Sequence, residues 1–118
     1  MNIDVRQVDD VIVVEMQGRL IAGTGDVVLQ QAMNVLVADD HRKILLDLSG
    51  VRRIDSAGIG ELMASMKLAE RFGCDVRLLN VTGQVLEILK LSQLLPLLNV
   101  YHDEDEALAA FAGQDAES

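Results

Sequence analysis

Ser56 is the residue whose surroundings invite chemistry. It lies in RRIDSAGIGEL, residues 52–62, with Asp55 before it, Ala57 after it, and Gly58 and Gly60 beyond. An apolar strand-like run, KILLDL (43–48), has just ended, and a helix is about to start. Three chemistries are open to a hydroxyl there. It can cap the helix by accepting a hydrogen bond from a free backbone N–H, worth about 1 kcal/mol. It can attack a substrate, given a base and a group to orient that base. It can also accept a phosphate, which adds nearly two negative charges and strong acceptor oxygens.

The nucleophile reading finds little support. The histidines are His41, in a polar loop, and His102, before the last helix, and neither sits in a motif. The GxSxG pattern of a nucleophile elbow is absent. A cap explains a serine, although Asp55 would do the same work. It does not explain Gly58 and Gly60, since each glycine in a helix costs about 1 kcal/mol against alanine. Two in one turn predict that something approaches the backbone closely, or that the helix packs tightly there. A phosphate fits the place, because a helix N-terminus offers N–H groups and partial positive charge. Asp55 would push back against it. A partner docked over Ser56, Ala57 and Gly58 would then meet a new dianion, which makes a binding switch.

Other constellations are weaker. AGTGD (22–26) puts glycines before a helix, but GxxxxGK[ST] and GxGxxG are absent, and a loop with a cap suffices. HDEDE (102–106) lacks the spacing of a calcium loop, and acids favour a helix start anyway. Cys74 has no metal-ligating neighbour and belongs to the core. Arg52 and Arg53 form a solvated turn, or greet a phosphate. The reading therefore contains no catalytic residue, no metal ligand and no cofactor.

Elements must hold Ser56 in place. NIDVRQVDDVIVVEMQG predicts two strands around a turn at Asp9 and Asp10, with Ile12, Val14 and Met16 on one face and Gly18 at the end. TGDVVLQQAMNVLVADD predicts a helix capped by Thr24 or Asp26. Its apolar stripe comprises Val28, Ala32, Val35, Leu29, Met33 and Leu36. KILLDLSG has no alternation and predicts a central strand covered on both faces. SAGIGELMASMKLAERFG predicts a second helix stopped at Gly73. CDVRLLNV predicts a strand, and Thr82 caps a third helix. SQLLPLLNV is assigned to core packing, Val100 and Tyr101 to a short edge strand. Asp103 and Glu106 form a capping-box-like start to a last helix, with Leu108 and Phe111 facing inward. Strands alternating with helices make an α/β fold with a mixed sheet of four to five strands and about four helices. One domain covers 1–113, with 114–118 a frayed tail.

Composition narrows the partners. The 118 residues carry a formal net charge of −9, which repels nucleic acid and anionic membranes and points to a partner with a basic surface. The longest apolar runs fall short of the ~18 residues needed to span a bilayer. MNIDVRQVDD is not a secretory signal, and a lone cysteine suits a reducing cytosol, so the expected location is cytoplasmic.

At these residues the sequence resembles the anti-sigma-factor antagonists, or STAS domains. The resemblance rests on ILLDLSGV (44–51), IDSAGIGEL (54–62) and RLLNV (77–81) followed by a helix. It implies a protein that, unphosphorylated, binds a cognate anti-sigma factor with serine kinase activity and so frees the sigma factor. The kinase phosphorylates the serine and ends the complex, and a PP2C-type phosphatase resets it. Carried over, the phosphoacceptor is Ser56. Asp55 is the adjoining acid, Asp47 is an acid ending its strand near the acceptor, and Gly58 and Gly60 match the small residues. The loop after Gly18 and the face of the second helix contribute to the partner surface. Two departures stand out. Ile21 replaces the acid of Gly-x-Leu-Asp, and Ala57 stands where many members carry Ser or Thr. Relatives with the same fold serve as stressosome subunits or help phospholipid-transport ATPases, which is the alternative reading.

Overall fold

The structure, a computed structural model, describes residues 1–117, with side chains through Gly113. The expected tail, 114–118, extends outside them. The elements are β1 (Asn2–Val8), β2 (Val11–Leu20), α1 (Gly25–Ala38), β3 (Lys43–Ile54), α2 (Ser56–Arg71), β4 (Asp75–Leu79), α3 (Gly83–Leu91), a 3-10 turn (Leu95–Leu97), β5 (Val100–Tyr101) and α4 (Glu104–Glu117). The sheet order is the chain order. β1 and β2 form an antiparallel hairpin, with Asp9 taking a positive φ of 54° in the turn. β2 through β5 are parallel, joined by helical crossovers.

Period-two alternation sorts the apolar residues onto two faces. Ile12, Val14, Met16, Ile44, Leu46, Leu48 and Leu78 build the main core with Leu29 and Met33 of α1, Leu62 of α2 and Leu89 of α3. Val11, Val13, Leu45 and Leu79 face the other way and meet Ala107 and Phe111 of α4. The continuous run VIVV thus has a partner on both sides, as does ILLDL. Parallel connections place the N-termini of α1, α2 and α3 at the C-terminal edge of β2, β3 and β4.

Several local expectations need correction. β2 does not stop at Gly18 but continues to Leu20. Arg52 and Arg53 are not a turn; they belong to β3, which runs on because the extended β2 pairs with it. Neither expected side chain caps α1. Thr24 makes no side-chain cap bond, and Asp26 accepts from Val27 N–H instead. Val35 is exposed at 58%, so the buried stripe narrows to Leu29, Met33 and Leu36. Thr82 stands at the start of α3 without a side-chain bond. Asp103 accepts from Asp105 N–H, not from Glu106. In the run SQLLPLLNV core packing holds at Leu98, which is buried, and at Leu94, Leu95 and Val100, which pack against the core half-buried; Leu97 on the 3-10 turn is the exception and is exposed. Cys74 does pack against the main core, half-buried, and its thiol donates to the His41 carbonyl at 2.8 Å. Burial pushes that thiol's pKa up.

Candidate functional site

Three loops at the C-terminal edge of the sheet converge on α2. Asp55 takes an extended conformation and caps the helix, its Oδ1 accepting from Gly58 N–H at 2.8 Å. Its Oδ2 accepts from Ala22 N–H at 3.1 Å, in the loop between β2 and α1. One carboxylate therefore joins two βα connections. These two N–H donors, Gly58 first and Ala22 second, hold the Asp55 carboxyl below the usual carboxylate range. The third loop closes through Gln84 in the first turn of α3. Its side-chain amide accepts from Ile54 N–H at 2.9 Å and donates to Ile54 O at 3.2 Å. β4 pairs with β3 only over Lys43–Asp47, so the amide acts as a substitute strand where the ladder has ended.

Ser56 is then the first residue of α2, exposed, and relieved of capping. Its hydroxyl makes no hydrogen bond to another described residue. His41 precedes β3 and Ser56 follows it, so the length of that strand separates them. His102 follows β5, with β4 between it and β3 in the sheet. Neither histidine is thus placed beside the serine. Among the described residues no three His, Cys, Asp or Glu side chains group to hold a metal.

The two glycines of the motif have different reasons. Gly58 is buried, and a side chain there would run into the Leu20 carbonyl group. Gly60 is exposed with nothing within 4 Å of where a Cβ would lie. Packing explains the first and leaves open surface at the second. Ala57, half-buried, lies between them and Ser56. Gly25 makes a similar contact, its Cβ position lying 2.7 Å from Leu20 Cα, which accounts for the second glycine in AGTGD.

Asp47 does not end its strand. It sits within β3, in register with Glu15 and Leu79, and Leu48–Ile54 separate it from α2. It is 9% exposed, and its Oδ1 accepts from Ser49 N–H at 2.9 Å, closing the bulge where β3 slips against β2. The structure thus groups Asp55, Ser56, Ala57, Gly58 and Gly60 and leaves Asp47 on the strand. Leu20, Ala22 and Gln84 complete the group. Their contacts are long-range, and no local signal marks them in the sequence.

The sequence pattern of the STAS domain matches residues 2–107. The chain belongs to the STAS domain family. This STAS domain is 26% identical over 108 residues to an anti-sigma F factor antagonist of Paenibacillus polymyxa, covering 92% of each chain. It superposes on the crystal structure of an anti-sigma factor antagonist from Mycobacterium paratuberculosis with a TM-score of 0.80, at 26% identity and 92% of each chain. It also shares its fold with SpoIIAA of Bacillus. The phosphorylated form matches with a TM-score of 0.70 at 18% identity, over 93% of this chain and 99% of that one. No helix of the described residues is long and apolar enough to cross a membrane.

Proposed function

We propose that this STAS domain is an anti-sigma factor antagonist whose binding is switched by phosphorylation at Ser56. The observation that carries the reading is the division of labour at α2: Asp55 makes the cap, and Ser56 stands next to it exposed and unbonded. The relatives are named as antagonists of this class, and one of them is known in a phosphorylated form. Unphosphorylated, the small surface of Ser56, Ala57 and Gly60 is flat enough for a partner to approach. The partner is an anti-sigma factor with serine kinase activity. A phosphate on Ser56 meets the positive end of α2, so the helix tolerates it. The partner meets a desolvated dianion and is expelled. A PP2C-type phosphatase restores the hydroxyl. Asp55, Ala57, Gly58 and Gly60 shape the phosphosite.

Incubation with the anti-sigma kinase and ATP, followed by mass spectrometry, tests this. Phosphate should fall on Ser56. Ser56→Ala should bind constitutively and Ser56→Asp should not bind. Phosphate elsewhere, or full binding by Ser56→Asp, would defeat the proposal.

A second reading, a structural subunit of a larger assembly, draws on the apolar surface at Leu91 and Leu97, exposed at 80% and 70%. Self-association lost on Leu97→Glu, without any effect of Ser56 variants, would favour it.

A further inference from the structure

Three arginines with no ion-pair partner among the described residues stand together at the C-terminal end of β2 and β3. Arg19 and Arg53 oppose each other in the strand register. The next pair, Leu20 and Ile54, is buried on the helix side, so alternation sends both guanidinium groups out through the opposite face. The register slips between Gly18 and Arg19, and Arg52 is the residue left over. With Arg19, Gln17, Gly18 and Thr24 it lines a cleft of about 270 Å³.

Like charges directly across a strand pair repel, and Arg52 adds a third. Of the other seven cations, Lys67, Arg71 and Lys90 also stand without an ion pair among the described residues, but on α2 and α3 rather than on these strands. Four are paired: Arg6 meets Glu15 and Glu104, Arg42 meets Asp40, Lys43 meets Asp10, and Arg77 meets Asp75. With 19 acids against 10 bases, carboxylates are abundant. Yet the acids around them are engaged elsewhere: Glu15 pairs with Arg6, Asp47 accepts from Ser49 N–H, Asp26 from Val27 N–H, and Asp55 from Gly58 and Ala22 N–H. The arginines are also chain neighbours of the phosphosite, at the same edge of the sheet. Leu20, the neighbour of Arg19, abuts Gly58, and Arg53 lies three residues before Ser56.

We propose that Arg19, Arg52 and Arg53 recognise a carboxylate-rich segment of the protein that docks over the first turn of α2. This rests on the reading of Ser56 as a partner-binding switch. The net charge of −9 taken alone calls for a basic partner, and the sign is reversed at this edge. It also makes nucleic acid a poor occupant, because the remainder of the surface repels it. A phosphate on Ser56 then acts twice: it repels the partner's carboxylates and competes for the same guanidinium groups.

The test measures binding of the intact protein to its anti-sigma kinase at several salt concentrations. Arg19→Glu and Arg53→Glu should each weaken binding about tenfold, mainly through a slower on-rate and with a shallower salt dependence. Lys90→Glu, the same charge change at the far end of α3, should leave it unaltered. Thermal melts confirm that each variant folds. An equal loss from Lys90→Glu, or an unchanged salt dependence in the arginine variants, would overturn the proposal. So would wild-type binding of a single-stranded oligonucleotide that the arginine variants lose. If the wild type binds no such kinase, the reading of Ser56 fails on its own, and an NMR titration with hexaglutamate still decides the patch. Amide shifts confined to 17–20 and 51–54 support it; their absence overturns it.

Discussion

Gly58 leans directly on the main-chain carbonyl of Leu20, with space for hydrogen and no more: a Cβ there would lie 2.8 Å from the carbonyl carbon. Leu20 O also accepts from Asp55 N–H at 3.4 Å. The end of β2 is thereby the seat on which α2 starts. Gly58→Ala should cost about 1–3 kcal/mol by overpacking. Gly60→Ala, in open space on the same turn, should gain about 0.5–1 kcal/mol. Urea denaturation of the two variants checks this, and effects of the same sign would contradict the contact.

Asp55 predicts an acid-limb dependence of stability. Its carboxyl is held low by Gly58 N–H and then Ala22 N–H. A group with a folded pKa below its unfolded value, about 3.9, contributes stability above that value. The contribution is lost as pH falls through the folded pKa. Asp55→Asn keeps an acceptor for Gly58 but does not titrate. The difference in unfolding free energy between wild type and variant should be constant between about pH 5 and about pH 8 and shrink below about pH 4. Denaturant titrations across this range read it.

Gln84 predicts a local effect far along the chain from the motif. Gln84→Leu leaves Ile54 N–H and C=O without their side-chain partner. The expected cost is about 1–3 kcal/mol. Hydrogen exchange should quicken at Ile54 and leave the Lys43–Asp47 ladder to β4 protected.

Phe111 predicts that α4 is anchored independently of the proposed switch. It is fully buried against the face carrying Val11, Val13, Leu45 and Leu79, and the Arg77 guanidinium carbon lies 5.0 Å from its ring centroid. Phe111→Ala should cost about 3–5 kcal/mol. In the fraction that stays folded, kinase modification of Ser56 should proceed as in wild type. A calorimetric melt and a phosphorylation assay give the two readouts.

The order of elements was legible in the sequence, because hydrophobic periodicity is a local property. ILLDL read as a strand covered on both faces, and its two faces do meet α1–α3 and α4. VIVV read as an alternating strand with Ile12 and Val14 on one face, and only the structure shows α4 covering Val11 and Val13. The serine at the start of α2 was legible for the same reason. What failed was mostly detail at element ends. Thr24, Asp26 and Thr82 have cap chemistry, but whether a side chain caps depends on how the loop behind it is held. Strand ends depend on a neighbour: Arg52 and Arg53 look like turn residues until β2 continues beside them.

The sequence by itself determined the α/β order, the apolar strands and a hydroxyl at a helix start, since each follows from residue spacing along one segment. Only the tertiary structure decided which acid caps α2, why Gly58 and Gly60 differ, that Gln84 closes β3, and that Arg19 meets Arg53. These are contacts between residues far apart in the chain, and no local pattern encodes the register that brings them together.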